Sequence, residues 1–182
     1  HALATAVCCR LLVQELPIFH GTPARLANTA YLAGLIHDLG KFVLLALARS
    51  ENKTATLPPY VDEENWWRAL EDRYVPHTLA GKWYAEALNL PASMVQVIGQ
   101  HHLSPRDRDE SEETRPLFTA IDLARRLLRF SDEKNDTPLR PSPRILKDFE
   151  LGEQRFVDLV DTCRAATQAI IQSLSFTEGT EQ

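Results

Sequence analysis

Apolar residues recur along this chain at helical spacing, and nothing alternates with a convincing period of two. Leu3, Val7 and Leu11, with Ala4, Cys8 and Leu12, make the first stripe, and Pro17 ends it. Thr22-Pro23 reads as the N-cap and first position of a second helix that runs to about Ile36. A further helical run follows Lys41 to about Arg49, and residues 50–60 read as a loop. Asp62-Glu63-Glu64 offer a cap and a negative first turn to a helix through Tyr74. Another helix is expected over roughly 78–89, and Pro91 opens one that reaches His101-His102. Residues 104–114 are charged and read as mobile. Pro116 starts a helix with Leu117, Ile121, Ala124 and Leu128 inward, residues 131–142 are a polar loop, and 153–174 form a last amphipathic helix. The pattern predicts an all-α bundle of about seven helices in one domain spanning 1–182.

Composition changes this picture little. An apolar fraction of 44% and a charged fraction of 25% are ordinary for a globular chain of 182 residues. A net charge of -5 argues against a general nucleic-acid surface, so no DNA partner is expected. No apolar run approaches the length that spans a membrane, and no signal-peptide pattern is visible. Three cysteines make no disulfide framework, which points to a reducing, cytoplasmic setting with Cys8, Cys9 and Cys163 as core filler. The chain opens on His1 with its first helix already under way, and reads as part of a longer protein.

The candidate chemistry lies in the histidines. His37-Asp38 closes an apolar run, where an ionised aspartate needs a partner. His1, His77, His101 and His102 also fall in helix-like apolar contexts, and Asp122 interrupts an apolar helix face. His20 lies in a loop and reads as solvated. The separations are too long for a zinc-finger loop but match about one helix hairpin per step. A bundle can therefore gather one ligand from each helix at its centre. Neighbours on a helix point about 100° apart, so His37-Asp38 and His101-His102 address two nearby points, which suits a two-metal site bridged by a carboxylate. A His/Asp set without thiolate fits Fe, Mn, Zn, Co or Ni. Simpler readings exist: His101-His102 as a helix C-cap favoured by the dipole, Asp122 as the partner of Arg125 or Arg126, and Trp66, Trp67 and Trp83 as packing, with Trp66-Trp67 also a candidate partner surface.

The motif Ala33-Gly34-Leu35-Ile36-His37-Asp38-Leu39-Gly40-Lys41 resembles the signature of the HD-domain superfamily of metal-dependent phosphohydrolases. The stretch from His77 through Gly81, Trp83 and Leu90-Pro91 to His101-His102 is similar to its HDOD branch. The resemblance covers roughly residues 1–130. It implies a helical, HD-domain-like bundle from a bacterial signalling protein, of a kind often fused to other signalling modules and often lacking some metal ligands. It makes His37 and Asp38 central ligands with Asp38 as bridge, His1 the first-helix ligand, Asp122 the last-helix carboxylate, and His77, His101 and His102 the further ligands of one or two divalent transition-metal ions. Lys41 matches the lysine that faces a phosphate, and Arg125 or Arg126 would assist if turned inward. The related HD-GYP branch hydrolyses cyclic di-GMP, but this chain reads Leu103-Ser104-Pro105-Arg106-Asp107 after the paired histidine, with no Gly-Tyr-Pro. The resulting expectation is a regulatory signalling domain with a metal site and other signalling modules as partners. The alternative is a working phosphohydrolase for a nucleotide-type phosphate, with Asp38 and Lys41 as its catalytic groups.

Overall fold

The computed structural model describes residues 1–51, 63–131 and 141–176. Among the described residues there is no strand, and the all-α expectation holds. The α-helices are α1 (Ala2–Glu15), α2 (Leu26–Ile36), α3 (Leu39–Glu51), α4 (Glu63–Arg73), α5 (His77–Ala87), α6 (Ala92–Gln100), α7 (Arg115–Ser131), α8 (Pro143–Phe149) and α9 (Glu153–Phe176). The chain forms two compact units, one of residues 1–35 with 116–182 and one of residues 36–115.

In the first unit α1 packs on α9. Their stripes bury Leu12, Phe156, Val160 and Cys163, joined by Phe118, Ile121 and Leu127 of α7. Cys8, Cys9 and Cys163 are buried and free, as expected of core filler. Burial pushes the Cys9 thiol far above its ordinary range, so it is not a thiolate at neutral pH. Periodicity missed α8, which is too short to show a stripe. Ser142 caps it, its Oγ accepting from Ile145 N at 3.4 Å, with Pro143 in the first turn. Phe149 at its end meets Phe156 edge-on, with ring centroids 5.0 Å apart. Thr22-Pro23 does not start α2. The Thr22 hydroxyl donates back to Phe19 O at 2.7 Å, closing the turn after the 3-10 segment Pro17–Phe19, and α2 begins only at Leu26.

In the second unit α3 and α6 both lie against α5, and α4 against α3. Two glycines permit the α3–α5 crossing. A Cβ on Gly40 would sit 1.7 Å from His77 O, and one on Gly81 would sit 2.8 Å from Gly40 N and 2.7 Å from Ile98 Cγ2. No side chain fits between these backbones. Trp83 is 53% exposed, so it is not the packing residue expected. The stretch 104–114 is not loose chain either: Ser104 Oγ donates to Asp107 Oδ2 at 2.6 Å, Gln100 Oε1 accepts from Asp109 N at 2.9 Å, and Arg108 Nη2 donates to His101 O at 3.3 Å. The expected cap at Asp62 and most of the expected loops over 50–60 and 131–142 lie outside the described residues.

Contrary to expectation, Leu26–Glu51 has the length and apolar composition of a membrane span. A turn at His37-Asp38 divides it into helices of 11 and 13 residues, each short of the roughly 20 that a spanning helix needs.

Candidate metal centre

The second unit brings Asp38, His77, His101 and His102 together at one point. Each arrives from the end of a helix. Asp38 sits in the turn ahead of α3, where the helix N-terminus favours an anion. His77 is the first residue of α5, and His101 is the C-cap of α6, with His102 in the turn beyond it. The expectation that both histidine-containing pairs ride on helices is corrected here: both occupy turns, and a turn can aim two neighbours at one point where a helix cannot.

Distances define the centre. Asp38 Oδ1 lies 3.3 Å from His77 Nε2 and 3.3 Å from His101 Nε2. His77 Nε2 lies 3.4 Å from His101 Nε2 and 3.2 Å from His102 Nε2. On the other side of the carboxylate, Asp38 Oδ2 accepts from Lys41 Nζ at 2.7 Å and lies 3.5 Å from His37 Nε2. The His37 ring stands edge-on to that of His101, with centroids 5.0 Å apart. His37, Asp38, His77 and His101 are 1%, 7%, 7% and 0% exposed, while His102 reaches solvent.

The far sides of the rings determine what the near sides offer. His77 Nδ1 meets the Glu71 carboxylate, and His101 Nδ1 lies 3.0 Å from Ile98 O. Both partners are acceptors, so Nδ1 donates in each ring, and a ring without a second proton turns an Nε2 lone pair inward. Two Nε2 atoms and a carboxylate oxygen thus converge within 3.4 Å. Such a set needs positive charge between its members, either further protons on the rings or a cation. A tetrahedral ion with bonds of about 2.0–2.1 Å holds its ligand atoms roughly 3.3–3.4 Å apart, the spacing found here. The residues fit a divalent ion, and a carboxylate or carbonyl behind each ligating imidazole is the usual support of such a site.

Burial by itself raises the Asp38 carboxyl. Its contacts with His101 and His77, the neighbouring His37 and the Lys41 ammonium outweigh burial and hold it well below the usual carboxylate range. Glu71 follows the same logic: burial raises it, while His77 backbone and ring, together with Lys41, lower it.

Glu71 was not found from the sequence. It lies on α4, and its Oε1 also accepts from His77 N at 2.9 Å, satisfying a first-turn amide of α5. Trp67 was read only as packing or partner surface, yet the Lys41 ammonium lies 5.7 Å from the centre of its ring, and Trp66 meets Trp67 edge-on. Neither residue carried a local signal, since a single acid on a charged helix has many solvated counterparts. Lys41, read as facing a phosphate, is bound to Asp38 and keeps further N–H groups for a ligand. The remaining expected residues belong to the first unit. His1 is the exposed residue ahead of α1, Asp122 is half-buried on α7, Arg125 is half-buried, and Arg126 pairs with Asp148.

The family model of the HDOD domain matches residues 1–104, more than half of the chain. The chain belongs to the HDOD family. The match includes His1, His37, Asp38, His77, His101 and His102 and stops short of Asp122. The HDOD domain is also 29% identical over 136 residues to an uncharacterized protein of Treponema pallidum (strain Nichols), covering 71% of this chain and 24% of that protein. The chain thus spans about a quarter of that relative. No solved structure matches.

Proposed function

We propose that this HDOD domain is a bacterial signal-transduction module whose 36–115 unit holds a divalent transition metal on Asp38, His77, His101 and His102. His37 is a further ligand of a second ion. One observation carries the reading: imidazole lone pairs, oriented by acceptors on their far sides, converge with an ionised carboxylate at metal-ligand spacing. The donor set suits Fe, Mn, Zn, Co or Ni. Burial of His37, Asp38, His77 and His101 supports a regulatory centre over one that admits a bulky phosphodiester, as does the chain after His102, which lacks Gly-Tyr-Pro. The partners are other signalling modules or proteins, and free buried cysteines suit a cytoplasmic setting.

A second reading, metal-dependent phosphohydrolase, is favoured by Lys41, whose ammonium stands beside the metal ligands where a nucleotide-type phosphate would need countercharge. A bound ion would supply Lewis acidity toward phosphoryl oxygens. The chain's own contribution would be an ionised Asp38 and the remaining N–H donors of Lys41.

Elemental analysis of protein grown with Fe, Mn and Zn tests the centre. Near-stoichiometric metal, lost in Asp38→Ala while helical circular dichroism survives, is expected, and a metal-free wild type refutes it. A flat assay with bis-p-nitrophenyl phosphate and cyclic dinucleotides is expected of the regulatory domain. Metal-dependent product release lost in Asp38→Ala would establish the enzyme instead.

A further inference from the structure

We infer that Glu71 is a positioning residue that fixes the His77 ring in its metal-binding tautomer and orientation, so that α4 sets the affinity of a centre to which it contributes no ligand. The inference rests on the metal reading above and extends it to a residue outside the ligand set.

Glu71 Oε1 holds His77 at two points, the backbone N–H at 2.9 Å and ring Nδ1. Because one oxygen grips both the backbone and the ring of one residue, the side-chain torsions of His77 are set relative to the start of α5. A carboxylate cannot donate, so the proton on Nδ1 is fixed and Nε2 is left bare. That Nε2 lies within 3.4 Å of three other members of the centre: Asp38 Oδ1, His101 Nε2 and His102 Nε2. A carboxylate behind the ring also makes imidazole a stronger donor to metal than a carbonyl or water does.

His101 has a different arrangement. Its Nδ1 partner is the carbonyl of Ile98, three residues back in the same helix, so α6 positions that ring internally. His77 has no such turn before it, because Pro76 precedes it and α5 begins there. Its orientation must come from another element, and Glu71 supplies it from α4. Lys41, bound to Asp38, lies close enough to Glu71 to help hold it ionised. The two carboxylates of the site are thus linked through His77 on one side and Lys41 on the other.

The test compares wild type with Glu71→Gln and Glu71→Ala in two measurements. In the first, cobalt(II) is titrated against a competing chelator and followed by its visible spectrum. Glu71→Gln keeps an acceptor but loses its charge. Its affinity should fall about 10-fold, and that of Glu71→Ala up to about 100-fold, the range found for such supporting groups. The spectrum of the saturated Gln variant should match wild type, because the ligands are unchanged. In the second, ring 15N–1H correlations of His77 are recorded on metal-free protein at about pH 8.5. Wild type should show the Nδ1–H tautomer, and Glu71→Ala a shift toward Nε2–H. Cobalt affinity within twofold of wild type in both variants overturns the inference, as does an Nε2–H tautomer in metal-free wild type. A wild type that binds no cobalt would refute the metal reading, while the tautomer measurement would still judge the role of Glu71. If the Ala variant fails to fold, the Gln titration and the wild-type tautomer decide.

Discussion

Replacing Gly40 with alanine tests the link between helix packing and the centre most directly. The new methyl would lie 1.7 Å from His77 O and 2.7 Å from Gly81 N, both backbone atoms, whereas real Cβ atoms stay beyond 3.0 Å. The shortfall exceeds an ångström, and no side-chain rotation relieves it. Either α3 or the start of α5 must move. Overpacking costs about 1–3 kcal/mol, and backbone neighbours place this site at the upper end. Alanine recovers at most about 1 kcal/mol through helix propensity. The net loss should be about 2 kcal/mol, which lowers the melting temperature by roughly 4–8 °C in a chain of this size. The same movement separates Asp38 from His77, whose oxygen and nitrogen now stand 3.3 Å apart. Metal sites tolerate about 0.2 Å in ligand distance, so metal affinity should fall at least tenfold. Gly99→Ala is the matched control, since its methyl meets only Lys82 side-chain carbons, the nearest at 3.2 Å. It should melt at or above wild type and bind metal normally. Thermal unfolding by circular dichroism and chelator competition measure both effects. A Gly40→Ala protein within about 1 °C of wild type and with unchanged metal affinity would refute the α3–α5 contact and the positioning of Asp38 by it.

Two further predictions concern charge and backbone. The Asp38 carboxyl is held below its unfolded value, so its contribution to metal-free stability is full above the unfolded pKa of about 3.9 and is lost as pH falls toward the folded value. Metal-free Asp38→Asn should therefore be less stable than wild type at pH 6, with the gap narrowing below about pH 4; a gap that widens in acid contradicts the assignment. Glu150 ends α8 with φ of 53°, a left-handed conformation that costs a side-chain-bearing residue about 1–2 kcal/mol. Glu150→Gly should raise stability by up to about 1 kcal/mol in urea melts, and a loss of stability would show that the Glu150 side chain makes contacts worth more than the strain.

Helices with long stripes were legible because periodicity needs several turns to show. The first and last helices appear nearly as read, Ala2–Glu15 and Glu153–Phe176. The seven-residue α8 has no room for a stripe and was missed. The start of α2 was misplaced because Thr-Pro looks the same whether the hydroxyl caps forward or, as at Thr22, bonds back. The stretch 104–114 was misread because its charges suggest solvent, while its bonds to Gln100 and His101 are set by the fold.

For the centre, the sequence marked residues that could hold a metal. Motif spacing marked His1, His37, Asp38, His77, His101, His102 and Asp122, since ligand chemistry restricts which residue types serve and the family pattern restricts where. The tertiary structure decided what those donors do together. Which ring nitrogen faces inward depends on Glu71 and Ile98, and which oxygen of Asp38 meets the histidines depends on Lys41. How near α3 comes to α5 depends on Gly40 and Gly81. The reason is physical. A ligand's identity belongs to its own side chain, whereas tautomer, orientation and approach belong to neighbours that only the folded backbone brings close.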